Sequence, residues 1–546
     1  MNPNAFQPAP NSYSYPLLIK SILKQTLKYN PENEIVYKDV SRYNYFELNK
    51  RVARLSNLLA GLGLQYGDSV GWMDYDSHRY LESFYAVPSV GAVLHTVNYR
   101  YSAQNIVYTI NHAEDKVLFV HADFIELIIQ NRDQFTHVEK IIVLLDSNPA
   151  KTYDDIDDYE SMMALQKETY EYPEFNEDTP ALTFYTSGTT GKPKGVFFSH
   201  RQIVTHAMAS MINFGCYEGA CRLRSNDVYM PLSPMFHVHS GGFPYVASML
   251  NVKQVYPGRI NPALLLKLIR DEGVTFTHTV PTLFNMMIQH EDIKFTDLSK
   301  LKVVIVASAT TDSLLESGQK LGIDMISSYG MSESCPIITF SFLNQRDLEL
   351  DIKSQYPLRT NIGKPVPFMD VKIIDESGLD VTTPNQIGEI VLRSPWLTKG
   401  YNKEQVMSEE LWKGGWLHTN DIGYVDETNR ITLVDRKRDM IKSGGEWVAP
   451  SEIENLLRVH PNVKTVSVFG IEDQKWGERP VAAVILKEQG TSISELMSFL
   501  EEFVTSGKLN KISMVEKIKL FEEFPTTGTG KVDKKQVKEI WLTLKS

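Results

Sequence analysis

The run Ala181-Leu-Thr-Phe-Tyr185-Thr-Ser-Gly-Thr-Thr190-Gly-Lys-Pro-Lys-Gly195-Val-Phe-Phe198 carries the decision about fold and ligand. Ala181–Tyr185 and Gly195–Phe198 read as strands, so the residues between them close a hairpin. From Tyr185 to Gly195 there are four aliphatic hydroxyls, three glycines and two lysines. The glycines let backbone N–H groups approach an anion closely, the hydroxyls donate, and the lysines balance charge, which suits a polyphosphate. A Walker A loop needs four residues between glycine and Gly-Lys and then Ser or Thr, and this run has neither. Its helix comes only after the second strand, capped by Ser199 with Gln202 three residues on. A flexible polar turn is the alternative, and the Lys-Pro-Lys segment argues against it.

Outward from the hairpin, β-rich runs alternate with helical patterns, the rhythm of a mostly parallel sheet covered on both faces. One βαβ unit is explicit: strand Val303–Ala307, helix Ser313–Leu321 stopped by Gly322, strand Asp324–Ser328. Upstream, a helix over Tyr45–Leu62 leads to strand Ser69–Met73, and a helix over Arg79–Val90 leads to strand Ala92–Thr96. Asp154–Glu160 and Glu171–Asp178 read as solvated connections. Near Gly388 the pattern turns to hairpins, and after Asp435 a last unit begins. Its helix is expected to start on a capping box, Pro450-Ser451-x-x-Glu454, followed by strands Val463–Phe469 and Pro480–Leu486. The fold class is therefore α/β. Residues 1–435 form a large body with mostly parallel sheets and a small hairpin-rich subdomain, and 436–546 a smaller α+β domain.

The 546 residues exceed one ordinary core, and 42% hydrophobic with 23% charged residues excludes general disorder. The net charge of −11 argues against nucleic acid as a partner. That charge is uneven: residues 436–546 hold 18 basic and 16 acidic side chains, and the body carries the acidic excess. A near-neutral domain facing an acidic body suits an anionic ligand between them. Three cysteines (Cys216, Cys221, Cys335) make no disulfide framework. The start MNPNAFQPAP lacks the layout of a signal peptide, and no apolar run approaches a membrane span. A cytoplasmic protein without a transmembrane segment is expected.

Further motifs fall where such sheets collect ligands. Tyr329-Gly-Met-Ser-Glu333 follows strand Asp324–Ser328, beyond a carboxyl end. Tyr329 offers a flat face to a purine and Glu333 a hard oxygen to Mg²⁺, while Ala307-Ser308-Ala309 ends the adjacent strand. Asp421 and Arg436 make a plausible ribose clamp, although either alone reads as a surface charge. Lys531, on the tight Gly/Thr loop Thr526-Thr-Gly-Thr-Gly530, suits charge neutralisation in adenylyl transfer and equally suits the surface. In Pro234-Met-Phe-His237-Val-His239 the two imidazoles share a strand face if the segment is extended, without a third ligand for a metal.

These motifs together, with Asp435–Trp447 (DRKRDMIKSGGEW), resemble the AMP-forming acyl-CoA synthetases of the adenylate-forming superfamily, which includes firefly luciferase and peptide-synthetase adenylation domains. The resemblance runs in order from Asn33 to Lys535 and is closest to the medium- and long-chain fatty acid branch. It implies a fatty acyl-CoA ligase using ATP, Mg²⁺ and CoA, with a small domain that rotates between two half-reactions. Thr186, Ser187, Gly188, Thr189, Thr190, Gly191, Lys192 and Lys194 would hold the phosphates. Ser308, Ser328, Tyr329, Gly330, Met331 and Ser332 would line the nucleotide site, with Asp421 and Arg436 on the ribose. Thr186 and Glu333 would surround Mg²⁺, and Lys531 would bridge the acyl carboxylate and the α-phosphate. His237, Gly241 and Phe243 would border the acyl pocket, Gly444, Gly445 and Glu446 the pantetheine tunnel, and Arg438 would be the hinge.

Three departures from the family pattern stand out. The hinge usually carries Asp or Lys. The ribose motif reads Thr-Asn-Asp for Thr-Gly-Asp, so Asn420 has to accept the turn. Gly241 stands where long-chain members tend to place a gating tryptophan, whereas the companion Trp447 is present. Rival readings are an aryl, thioether or short branched acid as substrate, a separate carrier protein as acceptor (no carrier domain follows Ser546), a nucleotide binder without thioester chemistry, and luciferase-like oxygen chemistry, which would need a special substrate. A homodimer is compatible with the sequence.

Overall fold

Short apolar runs become the central strands. Ser69–Met73 is buried at every position and Asp115–His121 nearly so, as parallel strands covered on both faces are. The computed structural model of the chain describes residues 9–146, 156–186, 192–307, 310–444, 446–525 and 532–544.

A seven-stranded sheet takes the order Asp157–Asp158, Lys140–Leu144, Asp115–His121, Ser69–Met73, Val93–Thr96, Pro180–Thr186, Lys194–Ser199. It is parallel except for the last pair, the expected hairpin, in register at Tyr185–Gly195 and Thr186–Lys194. A nine-stranded sheet contains the expected βαβ unit: Lys302–Ile305, helix Asp312–Lys320, then Asp324–Gly330, with the two strands parallel. Helices cover both sheets. Tyr45–Gly61 is capped by Asn44 and His78–Ser89 by Ser77, each accepting a backbone N–H at the helix start.

A four-stranded antiparallel sheet follows: Asp370–Ile374, Gly388–Arg393, Leu417–Val425, Ile431–Arg436. The last sheet pairs Glu446–Val448, Ile441–Ser443, Gly477–Leu486 and Val463–Asp473, with Lys517–Leu520 alongside. The largest apolar cluster runs from Ile19 to Ile431, and two others lie wholly between Ile441 and Trp541. No described helix is long and apolar enough to cross a membrane.

Three expectations are corrected. The described end of the acidic stretch is structured: Asp157–Asp158 is a strand, Tyr159 is buried, and Glu160 forms an ion pair with Arg51 at 2.6 Å. An apolar ring beside a fixed arginine outweighs the polarity of its neighbours. The helix Pro450–Arg458 has no capping box. Pro450 takes the first helical position, so Ser451 is already inside the helix. Ser451 Oγ donates to the Val434 carbonyl at 2.7 Å, and Glu454 Oε1 accepts the Val468 N–H at 2.9 Å. His237 and His239 do not share a strand face. Positive φ at Val238, His239 and Ser240 folds the segment into a tight turn, leaving His237 exposed and His239 buried.

Candidate active site

The helix His200–Gly215 fixes the exit of the hairpin. Its capping box is complete: Ser199 Oγ accepts the Gln202 N–H at 3.4 Å, and Gln202 Oε1 accepts the Ser199 N–H at 2.7 Å. At the strand ends, Thr186 faces Lys194 across the ladder. Lys192 lies 5.1 Å over the Tyr108 ring and Lys194 5.1 Å over the Tyr401 ring. These contacts keep both ammonium groups beside the loop. Ser187, Gly188, Thr189, Thr190 and Gly191 lie outside the described residues.

The strand Asp324–Gly330 delivers the second group. A Cβ on Gly330 would sit 2.1 Å from the Pro336 carbonyl oxygen, so only glycine fits there. Ser328 Oγ donates to the Ile305 carbonyl at 3.0 Å, and the Met331 N–H donates to the Pro336 carbonyl at 3.1 Å. Ser332 opens the short turn that carries Glu333. Ser308 is outside the described residues.

The Tyr329 hydroxyl donates to Asp421 Oδ2 at 2.6 Å. Asp421 and Arg436 are register partners on antiparallel strands, and Arg436 Nε lies 2.9 Å from Asp421 Oδ1. That ion pair lacks hydrogen-bond alignment, so Oδ1 remains a buried acceptor without a donor. Burial raises the Asp421 pKa against the opposing pull of Arg436 and Tyr329. Burial and the adjacent carboxylate hold the Tyr329 phenol well above its usual value. Asn420 accepts the left-handed turn its position demands, with φ of 58°.

Glu333 is buried, and Thr398–Asn402 holds it. Its carbonyl accepts the Thr398 N–H at 2.9 Å, and its Oε1 accepts the Tyr401 hydroxyl at 2.7 Å. No described donor reaches its Oε2. A carboxylate with one oxygen met by no described donor, on the same scaffold as the Thr186 hydroxyl, has the hard-oxygen character that Mg²⁺ takes. Sequence reading missed Tyr401, because nothing in Lys399-Gly-Tyr401 marks it until the fold sets it between Glu333 and Lys194.

On the acyl side, His237 precedes the turn Val238–Gly241 and meets the Phe184 ring edge-on at 6.1 Å. His239 is fully buried without hydrogen bonds, and burial pushes its pKa down to about 3. Gly241 has φ of 67°, and the Phe243 ring stacks on His278 at 4.6 Å. Phe243 also packs against Phe214, Tyr229 and Phe276. In the small sheet, Gly444 makes the turn before Glu446, which is exposed, as is Arg438. Gly445 and Lys531 lie outside the described residues. Contacts thus link Thr186 and Lys194 to Glu333 through Tyr401, and Tyr329 to Asp421 and Arg436; the short segment Tyr329–Glu333 joins the two sets, while Gly444 and Glu446 sit on the separate small sheet.

Residues 23–402 match the family model for the AMP-binding enzyme, and residues 452–531 that for the AMP-binding enzyme C-terminal domain. The chain is 34% identical to a 3-methylmercaptopropionyl-CoA ligase of Ruegeria lacuscaerulensis, covering 96% of this chain and 97% of the relative. It is also 34% identical to a long-chain-fatty-acid–CoA ligase of Thermus thermophilus, covering 92% and 90%. The structure of an anthranilate CoA ligase in complex with anthranoyl-AMP superposes with a TM-score of 0.81 at 24% identity, over 96% of this chain and 98% of the other.

Proposed function

The chain belongs to the AMP-binding enzyme family as an AMP-forming acid–thiol ligase, and on that footing we propose that it converts a medium- to long-chain fatty acid, ATP and CoA to acyl-CoA, AMP and pyrophosphate. The observation that carries the nucleotide side of this reading is the Asp421 carboxylate, with Tyr329 on one oxygen, and on the other Arg436 and an unmet acceptor that suits a ribose hydroxyl; the acid is supported by the likeness to a long-chain-fatty-acid–CoA ligase.

In the first half-reaction the acid's carboxylate oxygen attacks the α-phosphorus and the bond to pyrophosphate breaks. Two anions must meet, so the site has to supply positive charge. In this reading Lys192 and Lys194 would hold the phosphates, Tyr329 would support the adenine, and Lys531 would bridge the carboxylate and the α-phosphate. Thr186 and Glu333 would hold Mg²⁺, which when bound neutralises phosphate charge. In the second half-reaction the CoA sulfur attacks the acyl carbon, and AMP leaves. We assign 436–546 as a mobile unit pivoting at Arg438, which withdraws Lys531 and presents Gly444, Gly445 and Glu446 to pantetheine.

A second reading of the acid is a short thioether or branched chain. It is favoured by the packing of Phe243 against His278, Phe214 and Phe276, which fills space next to Gly241. The test is AMP release from MgATP, with and without CoA, for acids from acetate to palmitate plus 3-methylthiopropionate and benzoate. CoA-stimulated turnover peaking at an aliphatic length from about octanoate upward, lost in Lys531→Ala, is expected. A peak at 3-methylthiopropionate selects the second reading, and turnover insensitive to CoA refutes the thioester step.

A further inference from the structure

Glu333 is gripped twice by one strip of chain. Thr398 donates its N–H to the Glu333 carbonyl at 2.9 Å, and three residues on, Tyr401 donates its hydroxyl to Oε1 at 2.7 Å. The strip is anchored on the exit strand of the phosphate hairpin. Tyr401 bridges Val196 through the backbone, the Asn402 N–H donates to the Gly195 carbonyl at 2.8 Å, and Thr398 Oγ1 donates to the Phe197 carbonyl at 2.9 Å. Ser408 Oγ accepts the Tyr401 N–H at 2.9 Å, fixing the backbone behind the ring. A face of that ring serves Lys194, whose ammonium lies 5.1 Å from the ring centre.

A glutamate side chain left to itself loses considerable rotamer freedom when it is brought to one position. Here a phenol hydroxyl fixes one carboxylate oxygen and leaves the other without a described donor, a one-sided arrangement that orients rather than neutralises the group. Charge-assisted hydrogen bonds of this kind are the stronger ones. We propose that Tyr401 is a positioning residue: it locks the Glu333 carboxylate so that Oε2 is presented to the divalent cation of MgATP, and it registers that carboxylate against Lys194 of the phosphate hairpin. The proposal rests on the assignment of Glu333 as a cation ligand. It makes Tyr401 the device by which the hairpin and the Tyr329–Glu333 turn act on one nucleotide, although it touches no reacting atom.

Tyr401→Phe keeps the ring and its stacking on Lys194 and removes only the hydroxyl. Calorimetric titration of ATP into the full chain, with saturating Mg²⁺ and again with EDTA, reads the effect without turnover. The variant is expected to bind MgATP about tenfold more weakly, the size of one hydrogen bond to a charged group, and metal-free ATP as the parent does. Its thermal midpoint falls by no more than a few degrees, since the buried Oε1 loses its donor in the free chain as well. The Mg²⁺ concentration for half-maximal acid-dependent pyrophosphate exchange rises, whereas transfer of preformed acyl-adenylate to CoA is unchanged. Glu333→Gln runs alongside. If it lowers MgATP affinity while Tyr401→Phe does not, the positioning role is overturned and the assignment of Glu333 stands. If Glu333→Gln leaves the Mg²⁺ dependence intact, both the assignment and the proposal fail.

Discussion

Asp421 Oδ1 is buried and accepts no hydrogen bond, a cost that a ribose hydroxyl donated to it would offset. Asp421→Asn removes the charge and turns an amide toward Arg436, so ATP affinity measured by calorimetry should fall by roughly 10–100-fold. Parent-like affinity would put the ribose elsewhere. Asp76 shows a different economy. It is buried, accepts the Met235 N–H at 2.7 Å, and has its pKa pushed up to about 7 by burial, from an unperturbed 3.8. The folded state therefore binds a proton that the unfolded state has released, and stability falls as pH rises from about 4 to about 7. Asp76→Asn keeps an acceptor for Met235 and removes that loss. Its free energy of unfolding, read by denaturant titration, should gain on the parent between pH 5 and pH 8 by on the order of 1–4 kcal/mol, and an equal difference at both pH values would contradict the assignment. Tyr329, Asp421 and Glu333 were legible because strand ends and dense local motifs mark them. Asp76 and Tyr401 were not, because their partners Met235 and Glu333 are far away in sequence and a lone Asp or Tyr carries no pattern.

Among the elements, Ser199 and Ser451 show how far local chemistry reads through. Both precede helical sequence with Gln or Glu three residues on, yet only Ser199 closes the box. Pro450 supplies the helix start by itself and frees Ser451 to join the small domain to the body. The Ser451 N–H donates to Asp435 Oδ2 at 2.8 Å, and its hydroxyl donates to the Val434 carbonyl at 2.7 Å. Those bonds brace the exposed turn that holds Lys437 and Arg438. Ser451→Ala gives up one of them, about 1 kcal/mol, and tryptic cleavage at that turn should quicken by about fivefold. An unchanged rate would show that the brace lies elsewhere. The hairpin of Pro180–Thr186 and Lys194–Ser199 was legible because both runs are β-rich. The fold of Val238–Gly241 was not, since three consecutive non-glycine residues at positive φ defy any local preference.

Across the whole molecule, the apolar clusters separate between Ile431 and Ile441, and the acidic excess stays with the body. Composition anticipated the charge division, and alternating strands and helices anticipated the parallel sheets. The order of nine strands was not readable, because a parallel neighbour is chosen by packing across long connections. If the near-neutral unit pivots on the acidic body as proposed, it suits a reaction in which positive charge is needed for one step and has to be withdrawn for the next. The most direct test is a single turnover with labelled fatty acid and MgATP, first without CoA and then with CoA added. The account predicts acid-dependent pyrophosphate release with acyl-adenylate held on the enzyme, then its conversion to acyl-CoA and AMP. No acid-dependent pyrophosphate release, or an adenylate that persists after CoA is added, would contradict it.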